Sequence, residues 1–413
     1  MAKTIWIMNH YAHTPDSGTI TRHYYLSKYL MEMGYDVKIF TSSAIHNTDI
    51  NEIKDGALYK EKTIDGRDYV FVRTCDYHDN GMQRIKNMAD FYFNLSKVTK
   101  FFKKPDIIYA SSPHIFTLYK ALKIAKKLKV PCICEVRDLW PEAVVEFGNV
   151  TKKNLLVKML YQMERKIYIK ADALIFTMPG GRDYVVEKKW DNVVDVNKIH
   201  NVNNGVDLLS YDVNQKDCVL NDSMLEDTDT FKVAYTGSIR KIYEIGIVVE
   251  AAKKVQEMAL PIRFLIYGDG NEREELEQRC KQEKIENIIF KGWVDKKYIP
   301  YILSKSDLNL VHSKASDMGR FGTSNNKLFD YFASGKPILM DVVLQNYNII
   351  EEYGAGICTE NQNAQTIADA VIEIYNMPKE KREVMGKNAR RAAQDFDYKN
   401  LAQKLEKIIE ELL

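Results

Sequence analysis

The chain has 413 residues, of which 45% are hydrophobic and 28% charged, and its 59 Lys and Arg against 57 Asp and Glu leave a net charge of +2. That length exceeds what one core holds and fits two domains of about 200 residues each, while so even a charge balance excludes nucleic-acid binding by bulk electrostatics. Six scattered cysteines without a CxxC pair, and no run of 18 apolar residues, argue against a disulfide framework, a zinc site or a spanning helix; a reduced cytoplasm is the expected setting.

Thr4–Met8 (TIWIM) predicts a strand that follows Met1-Ala2-Lys3 with no leader pattern. The loop HYAHTPDSG leads into a helix pattern from about Thr19 to Met33, and Asp36–Thr41 reads as the next strand. A β–loop–α–β opening starts a doubly wound sheet, whose ligands bind at the carboxyl ends of its strands; Gly18 would let a ligand approach the backbone there. The segment DSGTITR lacks GxGxxG, which disfavours a dinucleotide. Residues 52–74 predict a hairpin and residues 84–102 a helix. Asp106–Ala110 and Val130–Val136 are buried-strand candidates ending in Ser111, Ser112 and His114, and in Arg137 and Asp138, polar groups that a parallel sheet brings together. Cys132 and Cys134 share one face of the second run, as core packing requires.

Residues 152–170 form an amphipathic pattern with a basic polar side. With Lys100, Lys103 and Lys104 it would suit an anionic bilayer surface, and equally an ordinary solvated helix face. Ala173–Thr177 closes the first sheet, and the turn-rich Ile199–Asp207 (IHNVNNGVD) reads as a linker, placing a domain boundary nearby.

Five further apolar runs, Lys232–Thr236, Arg263–Tyr267, Ile288–Lys291, Leu308–Val311 and Pro337–Met340, alternate with helix-length segments and predict a second α/β sheet. The first three end in glycine: Gly237, Gly268 with Gly270, and Gly292. In HSKASDMGRFGTSNNKLFDYFASGKPIL a glycine-bearing loop runs into a short helix, with Thr323 and Ser324 as expected N-caps. Its free N–H groups suit a phosphate, and Lys327 carries the wrong sign for the helix dipole unless an anion is close. An ordinary loop and core helix would give the same pattern on this stretch alone. Arg240 and Lys241 add two cations near the same edge, which together favour a nucleotide diphosphate. The single DxD, Asp227–Asp229, lies in a polar run and reads as a solvated loop rather than a metal site.

The chain resembles retaining glycosyltransferases of family 4 with the GT-B fold, close to the bacterial O-antigen and capsule aminosugar (fucosamine-type) transferases. Eight blocks carry the resemblance in order: PDSGTITRHYYLSKYL, SSPHIFTLYKALKIAKKLKVP, EVRDLWPEA, NNGVD, YTGSIRK, YGDG, FKGWV and NKLFDYFASGKPI. It implies two Rossmann-like doubly wound domains facing each other across a cleft. Residues 1–203 would bind the acceptor, with a C-terminal helix 397–413 packing back on them as part of a hinge. Residues 204–396 would bind the nucleotide sugar.

By the same resemblance Arg240 and Lys241 neutralise the diphosphate, which residues 323–328, with Thr323, Ser324, Asn326, Lys327 and Leu328, also hold. Trp293 and Val294 present the base loop, and Asp330 is the second carboxylate of the E-x7-E motif, which binds the ribose. The first carboxylate is missing, because Gly322 occupies its position; Asp317 or Arg320 would have to substitute. Arg137 stands where many members have a histidine, and Asp138 is the candidate for orienting the acceptor hydroxyl, with a core-capping role as the alternative. The implied reaction retains configuration, uses protein cations in place of a metal, and needs no cofactor beyond a nucleotide-sugar co-substrate, expected to be a UDP-sugar. The acceptor would be lipid-linked or an oligosaccharide, and the protein cytoplasmic and peripheral on the inner face of the plasma membrane. A non-catalytic GT-B partner subunit is the alternative motivated by Gly322; a nucleotide-sugar epimerase is argued against by the absent GxGxxG.

Overall fold

A computed structural model of the protein describes residues 2–17, 21–46, 48–77, 81–148, 150–359 and 361–413. They form two compact units, Met1–Asn203 with Tyr398–Leu413, and Asn204–Asp397. Each is an α/β layer structure, as the alternation of short apolar runs with longer amphipathic ones requires.

The first unit is built on strands β1 (Thr4–Asn9), β2 (Asp36–Ser42), β3 (Tyr59–Ile64), β4 (Arg67–Val72), β5 (Ile107–Ser111), β6 (Cys132–Val136), β7 (Ala173–Phe176) and β8 (Ile199–Asn201). Their spatial order is β3-β4-β2-β1-β5-β6-β7-β8, parallel except for the β3–β4 hairpin, which turns at Asp65-Gly66. β1 and β5 are almost wholly buried because both faces are covered. On one face the helices Arg22–Glu32 and Tyr398–Leu412 bury Leu26, Tyr29, Leu401 and Leu405 against Ile5, Ile7 and Ile39. Ile199–Asn201, expected as linker, is strand β8, so the extended chain leaving the unit is shorter than its turn-rich sequence suggests.

The second unit has strands β9 (Phe231–Thr236), β10 (Ile262–Tyr267), β11 (Ile288–Gly292), β12 (Leu308–His312), β13 (Ile338–Asp341) and β14 (Gly356–Cys358), all parallel, in the order β11-β10-β9-β12-β13-β14. The order reverses at β9, a topological switch point, and in such sheets the crevice beyond the strand ends there is where ligands bind. Val233, Val248, Val249, Phe264 and Val371 form the core on one face, and Leu328, Phe329, Phe332 and Met340 on the other. β14 has no counterpart in the sequence reading, because GIC is too short to stand out as an apolar run.

Candidate functional site

In the second unit the site forms where β9, β10 and β11 end. The Gly237 N–H donates to the Tyr267 carbonyl at 2.9 Å and the Gly268 N–H to that of Gly292 at 2.8 Å. A Cβ on Gly268 would lie 1.7 Å from the Gly237 oxygen, so the strand ends can lie this close only with glycine there. A Cβ on Gly237 would sit 2.5 Å from the Lys327 ammonium; glycine leaves that space to the lysine.

Lys327 lies in the first turn of the helix Asn326–Ser334 and is half-buried. Its Nζ is 2.9 Å from the Tyr235 hydroxyl, 4.0 Å from the centre of that ring and 4.8 Å from the Tyr243 ring. No carboxylate pairs with it among the described residues. Burial without a counter-ion pulls the ammonium down to about 7. Arg240 and Lys241, on the turn after β9, are exposed and also lack an acid partner among the described residues. Three cations without carboxylates at one sheet edge, beside a helix start, are the chemistry of a polyanion site.

The structure corrects the expected cap. Asn325, not Thr323 or Ser324, is the N-cap: its side chain accepts the Lys327 N–H at 3.3 Å, and its carbonyl accepts the Leu328 N–H at 3.1 Å. An Asn cap is as good as a hydroxyl one, and the chain turns into the helix two residues later than the first hydroxyl. The Ser324 hydroxyl oxygen instead accepts the Asn204 N–H, and its carbonyl accepts from the Asn204 amide, tying the loop to the NNGVD segment. Leu328 is fully buried with its N–H engaged, whereas Asn326 is exposed beside the helix start.

One turn on, Asp330 is half-buried and makes no hydrogen bond to a described residue; its nearest cation is Lys296, 3.9 Å away. Burial raises its carboxyl above the usual range, against the pull of Lys296. Trp293 is 72% exposed just past Gly292, and Val294 packs near Leu225. Gly322 has φ +84° and ψ −176°, a backbone conformation essentially confined to glycine. Asp227 of the DxD accepts the Thr230 hydroxyl and the Asp229 N–H and pairs with Arg263 at 3.4 Å, so its carboxylate is engaged within the protein. Sequence reasoning missed Asn325, Lys296, Tyr235 and Tyr331, whose hydroxyl oxygen accepts the Thr236 N–H at 2.8 Å and fixes the end of β9. All four lie within or beside the quoted blocks, yet nothing in their spacing announces these contacts.

In the first unit the ends of β1, β5 and β6 are joined by side chains. The Asn9 amide donates to the Ser111 and Ser112 carbonyls, and the Ser112 hydroxyl accepts the Arg137 N–H at 2.9 Å. Among the described residues, half-buried Arg137 has no hydrogen-bond partner for its Nε, which is closed to water, and Asp138, which is exposed, caps nothing. Gly18 lies outside the described residues. Histidines crowd this edge: His10 Nδ1 is 2.6 Å from His114 Nε2, and both ring nitrogens of buried His13 lack partners among the described residues. Burial, with Arg137 nearby, pushes His13 down to about 4, and burial with Arg84 pushes His114 to about 3. A cavity of about 170 Å³ opens here, lined in part by His13, Asp16, Ser17, Glu52, Lys62 and Tyr69.

Two Rossmann-like α/β units, each built on a largely parallel sheet, are the GT-B class of glycosyltransferase architecture. Residues 17–209 match the model for Glycosyltransferase Family 4 and residues 220–392 that for Glycosyl transferases group 1, so the two units carry glycosyltransferase domains of those families. A sulfoquinovosyl transferase of Arabidopsis thaliana is 23% identical over 394 residues, 94% of this chain and 69% of the relative. Among solved structures, sucrose-phosphate synthase from Thermosynechococcus elongatus superimposes with a TM-score of 0.74 at 14% identity over 99% of each chain. Anabaena HepE in complex with UDP and glucose gives 0.67 at 14% over the whole of both chains.

Proposed function

We propose that the protein is a retaining, metal-independent glycosyltransferase that moves a sugar, of the deoxy or N-acetylated aminosugar kind, from a UDP-linked donor to a lipid-linked or oligosaccharide acceptor in cell-surface polysaccharide synthesis. The observation that carries the donor reading is Lys327: a half-buried ammonium at a helix start, beside two glycine-ended strands, without a carboxylate among the described residues. A diphosphate supplies the missing charge, with Arg240 and Lys241 completing the neutralisation that a leaving diphosphate requires. Asp330, which makes no hydrogen bond to a described residue, would accept two ribose hydroxyls. A UDP complex of the HepE neighbour fits this choice of nucleotide.

The lipid-linked acceptor is supported by the first unit's surface. The helix Leu155–Lys170 exposes Leu155, Leu156 and Met159 beside Lys152, Lys153 and Lys158, and the helix Ile115–Leu128 has four lysines and no acid. Between them a cavity of about 580 Å³ is edged by Lys123, Lys126, Lys129 and Lys170. Apolar tips among cations suit an anionic bilayer. Among the described residues no helix is long and apolar enough to cross a membrane.

Thermal stabilisation by a panel of UDP-, GDP- and dTDP-sugars, followed by transfer assays with and without chelator, tests the proposal. Stabilisation by UDP-sugars is expected; stabilisation by none of the panel would overturn it. UDP binding without turnover on any donor would instead favour the non-catalytic partner reading, which Gly322 motivates. Flotation with phosphatidylglycerol vesicles but not phosphatidylcholine vesicles is expected for the membrane surface.

A further inference from the structure

We propose that His312 is a positioning residue of the diphosphate site, anchoring the turn that carries Arg240 and Lys241 to the carboxyl ends of β12 and β13. The inference rests on the donor reading above and names a residue that the resemblance did not mark.

His312 is the last residue of β12, is fully buried, and stands in register with Asp341, the last residue of β13. Its Nδ1 lies 2.6 Å from Asp341 Oδ2, and its Nε2 lies 3.3 Å from the carbonyl oxygen of Glu244. Both partners are acceptors. The Asp341 carboxylate already receives the Thr359 hydroxyl on its other oxygen, and a backbone carbonyl has nothing to donate. The ring therefore bridges two acceptors, facing the carboxylate with Nδ1 and the Glu244 carbonyl with Nε2.

Glu244 is where the short turn Lys241–Tyr243 becomes the helix Ile245–Glu257, and it holds φ +45°. A non-glycine residue in the left-handed region persists when its surroundings hold it there. The surroundings here are the chain from 312 to 314: besides the His312 contact, the Lys314 N–H donates to the Ile242 carbonyl at 3.0 Å. Gln362 braces the same chain from behind, donating to the Ser313 and Asp341 carbonyls. Arg240 and Lys241 have exposed side chains and no acid partner among the described residues, so the turn's backbone decides where they stand. The turn also carries Tyr243, whose ring faces Lys327. Loosening it would disturb all three cations at once.

Two substitutions separate positioning from bulk stability. In His312→Asn the amide can replace the Nδ1 donor to Asp341 but is too short for Glu244. In His312→Gln the longer side chain reaches Glu244. Dissociation constants for UDP and for uridine, measured by calorimetry on the full chain, are the readout, with the thermal midpoint of the nucleotide-free protein as control. The Asn variant should bind UDP about tenfold more weakly and uridine within about twofold of wild type, and the Gln variant should recover most of the UDP affinity. Equal weakening for UDP and uridine, or a lowered midpoint with unchanged UDP affinity, would overturn the inference while leaving the donor site standing. Failure of the wild-type protein to bind UDP would overturn the donor reading itself and the inference with it.

Discussion

Arg22 Nη2 and Glu135 Oε2 stand 2.7 Å apart in the first unit, and both side chains are closed to solvent. The guanidinium also donates to the Val202 and Asn203 carbonyls, and the carboxylate also accepts the Ser111 hydroxyl at 2.6 Å and the Tyr109 hydroxyl. The pair thus ties the start of the first helix to β6 and to the chain leaving the unit. Removing one partner strands the other as a buried, uncompensated charge. Arg22→Met should lower the free energy of unfolding by about 3–5 kcal/mol, and the double variant Arg22→Met with Glu135→Leu should recover a large part of it. Urea titrations of the single and double variants check this; additive losses would contradict a paired role.

Acid should unfold the protein in two linked stages. Burial lowers His10 and His114 and takes His13 and His23 to about 4, against 6.5 for a free imidazole. Below 6.5 the unfolded chain takes up protons that the native one refuses, so stability falls as pH drops from 6.5 toward 4, by about 1.4 kcal/mol per pH unit for each such histidine. Burial alone would raise the Glu135 carboxyl, but Arg22 and His23 hold it well below its usual range. Its contribution is complete above the unfolded value of 4.5 and is lost as pH falls through the folded one. Urea midpoints at half-unit pH steps should decline from 6.5 downward and go on declining below 4.5 as Glu135 takes over from the histidines near 4; a midpoint flat from pH 6.5 to 5 would contradict the histidine argument.

These two networks mark the limit of what the sequence made legible. Strands such as DIIYA and KVAYT could be read because a parallel strand covered on both faces must be a continuous apolar run, and Gly268 because a close backbone approach admits nothing larger. Arg22 and Glu135 sit inside two of the quoted blocks, but 113 residues separate them, and only the sheet order β1-β5-β6 brings them together. The same holds for His10 with His114. Lys327 stood out by its charge at a helix start, whereas its Tyr235 partner lies in what reads simply as a buried strand. Asn325 lost to Thr323 and Ser324 because three adjacent residues can all cap, and the backbone angles that choose among them are not written in their identity.

Lys327 should give UDP binding a characteristic pH dependence. Its ammonium, pulled to about 7 by burial, is partly neutral in the free protein near pH 7.5, and a bound diphosphate favours the protonated form. Affinity for UDP should therefore fall as pH rises from 6.5 to 8.5, and binding at pH 8 should take up a proton, measurable by calorimetry in buffers of different ionisation enthalpy. Lys327→Met should weaken UDP roughly ten- to a hundredfold and abolish that proton uptake, because a charge-assisted contact to phosphate is lost. Unaltered proton uptake in the variant would assign the titration to another group.

Gly322 occupies the position of the acid that the resemblance leads one to expect, and its backbone explains why a simple restoration carries a cost. At φ +84° and ψ −176° a side chain costs of order 1–3 kcal/mol, and the Gly322 N–H donates to the Gly319 carbonyl at 2.9 Å, which pins the loop in that shape. Gly322→Ala measures the backbone strain alone and should lower stability within that range. Gly322→Glu adds the carboxylate. If the loop contacts the donor sugar, the ratio of kcat/KM values for two UDP-sugars should differ between the Glu and Ala variants, over and above their shared loss of stability. Equal ratios in the two variants would show that the sugar is read elsewhere. That outcome would turn attention to Asp317 and Arg320, which occupy the 3-10 turn just ahead of Gly322 and are the loop's remaining charged side chains between residues 317 and 322.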